Sequence, residues 1–337
     1  MTTPAFDQFG LRAELVQTAA ELGFTAPTPI QQAVIPPIVA GRDVIGQAQT
    51  GTGKTAAYGL PLLHRLDRQQ HGVQALVLAP TRELAIQVAA ALQQYGRGLG
   101  TNVLALYGGQ SYQQQLRSLR ERVEVVVGTP GRLLDLMEQG HLDLGGVRAV
   151  VLDEADEMLS MGFVEDIESI LDRIPPERQT LLFSATISRR VLGLSKRYLR
   201  DPQTVSVTPE QLTGASIEQR YYLVNPQEKV AAITRLFEME TIDSALVFAR
   251  TRLGTGELAN QLSSRGFAAE PLNGDLSQDA RIQVLNRFRA GQVKVLVATD
   301  MAASGLDIDD ISHVFNFDLP DDPEVYVHRV GRTGRAG

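Results

Sequence analysis

The chain has no cysteine among its 337 residues. That excludes disulfides and thiolate metal sites and makes a reducing, cytoplasmic setting the expectation. No apolar run approaches the roughly 20 residues of a membrane span. Residues 1–9 lack the basic-then-apolar pattern of a secretory leader, so no membrane association is expected. An excess of positive charge is missing too: 32 Lys and Arg stand against 39 Asp and Glu, a net charge of −7. A strongly basic chain would point to nucleic acid. A mildly acidic one leaves the partner open, because a local basic groove can sit on an acidic molecule.

What is present suffices for two ordinary cores: 43% of the residues are hydrophobic. Short, continuous apolar runs recur at 75–79, 125–127, 150–152, 180–183, 245–248, 293–297 and 313–317. Such runs are what strands buried on both faces look like, which predicts parallel sheet. Helical patterns lie between them: Leu84, Val88 and Leu92 share one face, as do Ile167, Ile170 and Leu171. Alternating strands and helices predict an α/β fold of open sheets covered by helices. The alternation breaks once, in the polar stretch 204–217. Residues 1–205 are therefore expected to form a first lobe, 206–218 a linker and 219–337 a second lobe.

The strongest local signal is Ala48-Gln-Thr-Gly-Thr-Gly-Lys-Thr55, a phosphate-loop pattern with Ala48 where the first Gly usually stands. Thr50, Gly51, Thr52 and Gly53 form a loop whose backbone N–H groups can turn toward phosphate oxygens. Lys54 supplies charge to the β- and γ-phosphates, Thr55 offers a hydroxyl to Mg²⁺, and the helix that begins there adds its positive end. The stretch Val150-Val-Leu-Asp153-Glu154-Ala-Asp156 then places an acidic pair at the end of an apolar strand, the edge where open α/β sheets bind ligands. Asp153 can hold Mg²⁺, and Glu154 can orient and deprotonate an attacking water. The expected cofactors are thus ATP and Mg²⁺.

Asp153–Asp156 spells DEAD, and with the motifs around it the chain resembles the DEAD-box ATP-dependent RNA helicases of helicase superfamily 2 from Phe6 to Arg335. The resemblance implies two tandem RecA-like lobes with mainly parallel sheets. It implies an enzyme in which RNA-stimulated ATP hydrolysis drives lobe closure, local unwinding of RNA duplexes and RNA or RNP remodelling. Gly23-Phe-Thr-Ala-Pro-Thr-Pro-Ile-Gln31 resembles the family's adenine-reading motif, with the Gln31 amide on the base edge and Phe6 stacked on the base. Phe24 reads as a core aromatic. Ser184-Ala-Thr186 resembles the motif that couples hydrolysis to strand separation; hydrogen bonding to the acidic motif or simple capping are the two local readings.

In the terminal His328-Arg-Val-Gly-Arg332-Thr-Gly-Arg335, the resemblance makes Arg332 and Arg335 arginine fingers for the γ-phosphate and His328 a link to hydrolysis. A basic loop binding RNA directly is the alternative. In residues 298–308, Asp307 would accept from the ribose. The family usually has Arg where Ser304 stands, which puts efficient hydrolysis in doubt and favours a second reading, an ATP-gated RNA clamp without productive unwinding. A DNA translocase of the wider superfamily is a third, opposed by the Gln31 motif.

Pro80, Thr81 and Arg82, then Gly109, then Thr129 and Arg132 follow apolar stretches and resemble the RNA-binding motifs of the first lobe. Gln278, Arg281 and Thr299 are their counterparts in the second. Such residues suit phosphate and sugar contacts and give little sequence specificity. RNA over DNA is what the resemblance implies. Asn273 stands where the family more often has His. The family's second lobe continues past the arginine motif, so a shortened second lobe is expected here.

Overall fold

The computed structural model describes residues 6–49, 51–207, 217–303 and 311–333, apart from the side chains of 278, 279 and 324. The chain divides into two compact units, Met1–Leu212 and Thr213–Gly337.

The first unit is built on a seven-stranded, all-parallel sheet of β1 (Val44–Gln47), β2 (Ala75–Leu78), β3 (Val103–Leu106), β4 (Val125–Gly128), β5 (Ala149–Leu152), β6 (Gln179–Ser184) and β7 (Gln203–Ser206). Their spatial order is β3-β4-β2-β5-β6-β1-β7. Successive residues of the central strands serve opposite faces. Val77, Val125, Val127, Val151, Leu181 and Phe183 pack into one core, and Leu76, Leu78, Val126, Val150, Leu152 and Leu182 into the other. Helices cover both faces, which is why the strands read as unbroken apolar runs.

The strand order sorts the motifs. The phosphate loop, DEAD and Ser184-Ala-Thr186 follow β1, β5 and β6, three neighbouring strands. The loops carrying Arg82, Gly109 and Thr129 follow β2, β3 and β4, also three neighbours. All six leave the carboxyl edge of one parallel sheet.

The second unit has a four-stranded parallel sheet of β8 (Ala245–Phe248), β9 (Ala269–Leu272), β10 (Val295–Ala298) and β11 (His313–Asn316), in the order β11-β8-β10-β9. It too carries a core on each face, one around Leu246, Phe248 and Leu296 and one around Ala245, Val247 and Val297.

One expected boundary is adjusted. The first lobe does not end at 205: β7 runs to Ser206, and Val207 is buried in the first core and donates its N–H to Gln47 O. The alternating burial of this edge strand makes it read as polar from sequence. The remainder of the expected linker, 208–216, lies outside the described residues.

Candidate nucleotide site and nucleic-acid track

The phosphate loop turns on Gly51 and Gly53, at φ of 83° and 89°, a region that side chains disfavour. A Cβ on Gly53 would also stand 2.6 Å from Gln31 Nε2. Lys54 opens the helix Lys54–His64, whose amino end has no side-chain cap and no acidic residue in its first turn. Lys54 is buried, at 6% exposure, and its ammonium has no hydrogen-bond partner among the described residues. A buried cation at an uncapped helix amino terminus fits a polyphosphate. Thr50 lies outside the described residues.

The adenine-motif residues reach this loop directly. Thr28 Oγ donates to Thr52 O at 2.9 Å, and Gln31 Nε2 donates to Gly53 O at 3.2 Å. Gln31 Oε1 accepts from Thr28 N at 2.9 Å. Both ends of the Gln31 amide are thus engaged inside the protein, each with one further hydrogen-bonding capacity. Phe6, expected against the base, is 1% exposed and packed against Phe9 and Phe24 at ring separations of 5.8 and 6.0 Å. Phe24 packs against the core that holds Phe6.

Asp153 leaves β5 fully inside the protein, at 2% exposure. Tyr58, one turn after Lys54, donates its hydroxyl to Asp153 Oδ2 at 2.8 Å, and Glu154 N donates to Oδ1 at 3.0 Å. Tyr58 was not anticipated, although its i, i+4 spacing from Lys54 puts both on one helix face. Burial, reinforced by the Glu154 charge and opposed by Lys54, raises the Asp153 carboxyl to about 6. Mg²⁺ is commonly held by one carboxylate with substrate phosphates, so Asp153 and the Thr55 hydroxyl fit it. No cluster of three acidic or imidazole side chains among the described residues offers an alternative.

A pH dependence follows. The folded value of Asp153 lies above the 3.8 of an unperturbed Asp. Its ionisation therefore costs the nucleotide-free fold on the order of 2–3 kcal/mol, absent below about pH 4 and complete above about pH 6. Metal binding needs the ionised form. Asp153→Asn is expected to raise the melting temperature at pH 7.5 and to remove the Mg²⁺ dependence of nucleotide affinity. In the unaltered chain, that affinity should fall about tenfold between pH 7 and pH 5. Thermal melts and titrations with a fluorescent nucleotide check both.

Glu154 is buried, at 3% exposure, and adopts φ 50°, one of two described non-glycine residues in the left-handed region. It sits at the amino cap of the helix Ala155–Ser160. Asp156, inside that helix, accepts from both the backbone N–H and the hydroxyl of Thr186, each at 2.7 Å. Asp156 N donates to Ser184 Oγ at 3.3 Å, and the Ser184 hydroxyl donates to Thr186 O at 2.6 Å. The structure therefore brings the Ser184–Thr186 motif onto the acidic motif.

In the nucleic-acid track, Thr81 caps the helix Arg82–Tyr95 by accepting from Leu84 N, Pro80 is buried before it, and Thr129 stands at the amino cap of the helix Pro130–Glu138. Gly109 lies against Arg82: a Cβ there would be 2.8 Å from Nη1. Arg132 is 14% exposed.

In the second unit, Arg281 donates to Ala302 O at 2.6 Å, and Thr299 O accepts from Ala302 N and Ala303 N. Asn273 is buried and donates to Thr255 Oγ at 2.7 Å. Gln278 opens the helix Gln278–Arg289; its side chain lies outside the described residues, as do Ser304, Asp307 and Arg335 entirely. His328 is half-buried near the end of the helix Pro323–Val330, and Arg332 is 4% exposed.

Arg329, between them, was missed. Only its place in the fold marks it. Its guanidinium pairs with both oxygens of Asp300 at 2.6 and 2.9 Å, donates to Asn316 Oδ1 and Asp318 O, and lies over Phe248. It ties the arginine motif to the ends of β10 and β11. Asp300→Ala leaves that buried cation without its carboxylate and is expected to cost about 2–3 kcal/mol, read from urea unfolding of the second unit.

Comparison with known proteins agrees with this geometry. Residues 28–194 match the DEAD/DEAH box helicase family, and 228–337 match the helicase conserved C-terminal domain. The chain is 50% identical over its whole length to a DEAD-box ATP-dependent RNA helicase CshA of Geobacillus kaustophilus, covering 72% of that protein. It is 48% identical over 99% of its length to the Bacillus subtilis CshA, covering 68% of it. It is 48% identical over 98% to the Listeria monocytogenes CshA, covering 64%. The chain thus spans about two thirds of these relatives. Among solved structures, S. cerevisiae Dbp5 bound to RNA and ADP BeF3 superposes with a TM-score of 0.89 at 34% identity, covering 99% of this chain and 87% of that one. A DEAD box protein from Methanococcus jannaschii gives 0.60 at 39% identity, covering 98% and 90%. A phosphate loop, a strained acidic strand end and a Ser-Ala-Thr turn on adjoining strands, matched along the whole chain by these relatives, place it in the DEAD-box helicases, a family of ATP-hydrolysing enzymes.

Proposed function

We propose that the chain is an ATP-dependent RNA helicase whose hydrolysis is stimulated by RNA. The observation that supports this is the strand order, in which β5-β6-β1 stand beside β2-β4-β3, so that the phosphate loop, DEAD and Ser184-Ala-Thr186 adjoin the loops carrying Arg82, Gly109 and Thr129 on one sheet edge. In this reading Lys54 neutralises the β- and γ-phosphates, and Asp153 and Thr55 hold Mg²⁺, which supplies charge neutralisation at the phosphate oxygens. Glu154 takes a proton from water as its oxygen bonds to the γ-phosphorus. The bond from that phosphorus to the bridging oxygen breaks, giving ADP and phosphate.

Arg332 and Arg335 stabilise the charge on the transferred group, His328 orients the arginine motif, and Asp307 accepts from the ribose. Closure of the two lobes on ATP and RNA completes the site, and bending of the bound strand disrupts a short duplex. Thr186, bonded to Asp156, is placed to pass a change at the acidic motif to the neighbouring loop. Pro80, Thr81, Arg82, Gly109, Thr129, Arg132, Gln278, Arg281 and Thr299 form the RNA track, which contacts phosphate and sugar and not base edges.

Ser304, where the family usually has Arg, favours a second reading: an ATP-gated RNA clamp. Steady-state ATP hydrolysis with single-stranded RNA, matched DNA and no nucleic acid, run beside a short-duplex unwinding assay, separates the readings. Stimulation by RNA alone together with unwinding supports the helicase. ATP-dependent RNA binding with neither stimulation nor unwinding supports the clamp, and stimulation by DNA overturns both.

A further inference from the structure

Two arginines of the track rest on aromatic faces instead of carboxylates. The Arg82 guanidinium carbon lies 5.0 Å from the centroid of Tyr107, and that of Arg132 lies 5.5 Å from Tyr112. Arg82 has no ion pair among the described residues. The carboxylate nearest Arg132, that of Asp135, is 3.9 Å away and 44% exposed. Arg82 Nε and Arg132 Nη1 are buried with no hydrogen-bond partner among the described residues. Arg329 is the contrast: it is locked by both oxygens of Asp300, and its fork is already spent.

Tyr107 starts the loop after β3, Tyr112 opens the helix Tyr112–Leu119 that ends it, and that loop is itself fixed. Gln115, 2% exposed, donates to Tyr107 O and to Gln110 Oε1, each at 2.9 Å. The Tyr112 hydroxyl donates to Gln139 Oε1 at 2.5 Å. Gly109, at φ 81°, leaves room for Arg82 where any side chain would collide with it.

A carboxylate partner would occupy the N–H groups of an arginine and cancel its charge, so an incoming phosphate would have to displace it. An aromatic face attracts the cation through its quadrupole and leaves the N–H edge unspent. It also removes side-chain freedom that binding would otherwise have to remove.

We infer that Tyr107 and Tyr112 are positioning residues of the RNA track, holding Arg82 and Arg132 ready for the phosphates of an RNA strand by cation–π contact. The inference rests on the RNA-track reading above. Two such contacts together correspond to about a tenfold change in affinity.

The test uses the full chain, a fluorescein-labelled single-stranded RNA and ADP-BeF3, with binding read by anisotropy. In parallel, half-saturating RNA is measured in the ATPase assay. Tyr107→Leu/Tyr112→Leu is expected to raise half-saturating RNA about tenfold while the rate at saturating RNA stays within about twofold. Tyr107→Phe/Tyr112→Phe, which keeps both rings, should restore RNA affinity; melting curves of both confirm folding. Arg82→Ala/Arg132→Ala tests the underlying reading. If the arginine variant loses RNA affinity and the leucine variant does not, the tyrosines have no positioning role. Equal losses in the leucine and phenylalanine variants would assign the effect to the hydroxyls and overturn the cation–π inference. No loss in the arginine variant would remove the track reading itself, and this inference with it.

Discussion

Replacing Glu154 by Gln is expected to lower RNA-stimulated ATP turnover by about 10³-fold while leaving ATP-dependent RNA binding intact. The magnitude is that of removing a positioned general base. Gln matches Glu in shape, so the left-handed backbone at φ 50° and the bond from residue 154 N to Asp153 Oδ1 are retained. What is lost is one negative charge and the capacity to take a proton. The Glu154 charge is one of the causes that raise Asp153, so removing it should also lower the pH at which Mg²⁺-dependent nucleotide binding fails. A structural defect would not produce that shift. Single-turnover hydrolysis with RNA, paired with nucleotide binding across pH 5–7, measures both effects. A rate loss below about tenfold would mean that another group activates the water.

That backbone strain could not be read from the sequence. A left-handed Glu costs about 1–3 kcal/mol and persists because β5 and the following helix fix both sides of it. The central strands β2, β4 and β5 were legible because burial on both faces leaves no polar residue in them, as in the run Val125–Val127. Most of the strands that were not legible break this rule for a physical reason; β3, with its apolar Val-Leu-Ala-Leu, does not. In β1, Gly46 interrupts the apolar run because a Cβ there would stand 2.6 Å from the Phe183 ring. At one sheet edge, β7 is half covered and reads Gln-Thr-Val-Ser, while β3 at the other edge is incompletely covered although its sequence is apolar throughout. In the second sheet, the edge strand β9 contains Pro271, which an edge tolerates because no neighbour needs its N–H.

The site followed the same division. Lys54, Asp153, Glu154 and the Ser184–Thr186 turn were legible because their chemistry is tied to local spacing. Tyr58 and Arg329 were not, since each acquires its partner only when the sheet brings distant segments together: 95 residues separate Tyr58 from Asp153, and 29 separate Arg329 from Asp300. Phe6 shows what spacing leaves out: it suggested a stacking face and gave no sign that the ring packs against Phe9 and Phe24.

Arg332→Ala is the second large effect expected: a loss of at least about 10³-fold in RNA-stimulated kcat, with the KM for ATP changed only a few-fold. The range is that of arginine fingers in phosphoryl transfer, which act on charge developing in the transition state. In the proposed role, Arg332 would act from a fixed backbone. Its N–H donates to Arg329 O, and Arg329 is itself held by Asp300, Asn316 and Asp318. Arg332→Lys keeps the charge but loses the planar fork, so it should recover only a small part of the rate. Its melting temperature would show whether truncation of so buried a side chain affects folding. Asp300→Ala, which frees the anchor and keeps the finger, should lower kcat in the same direction by a smaller factor. If Arg332→Ala instead left kcat intact and raised half-saturating RNA, the arginine motif would be a direct RNA-binding loop, and the charge on the transferred phosphoryl group would have to be met from elsewhere in the chain.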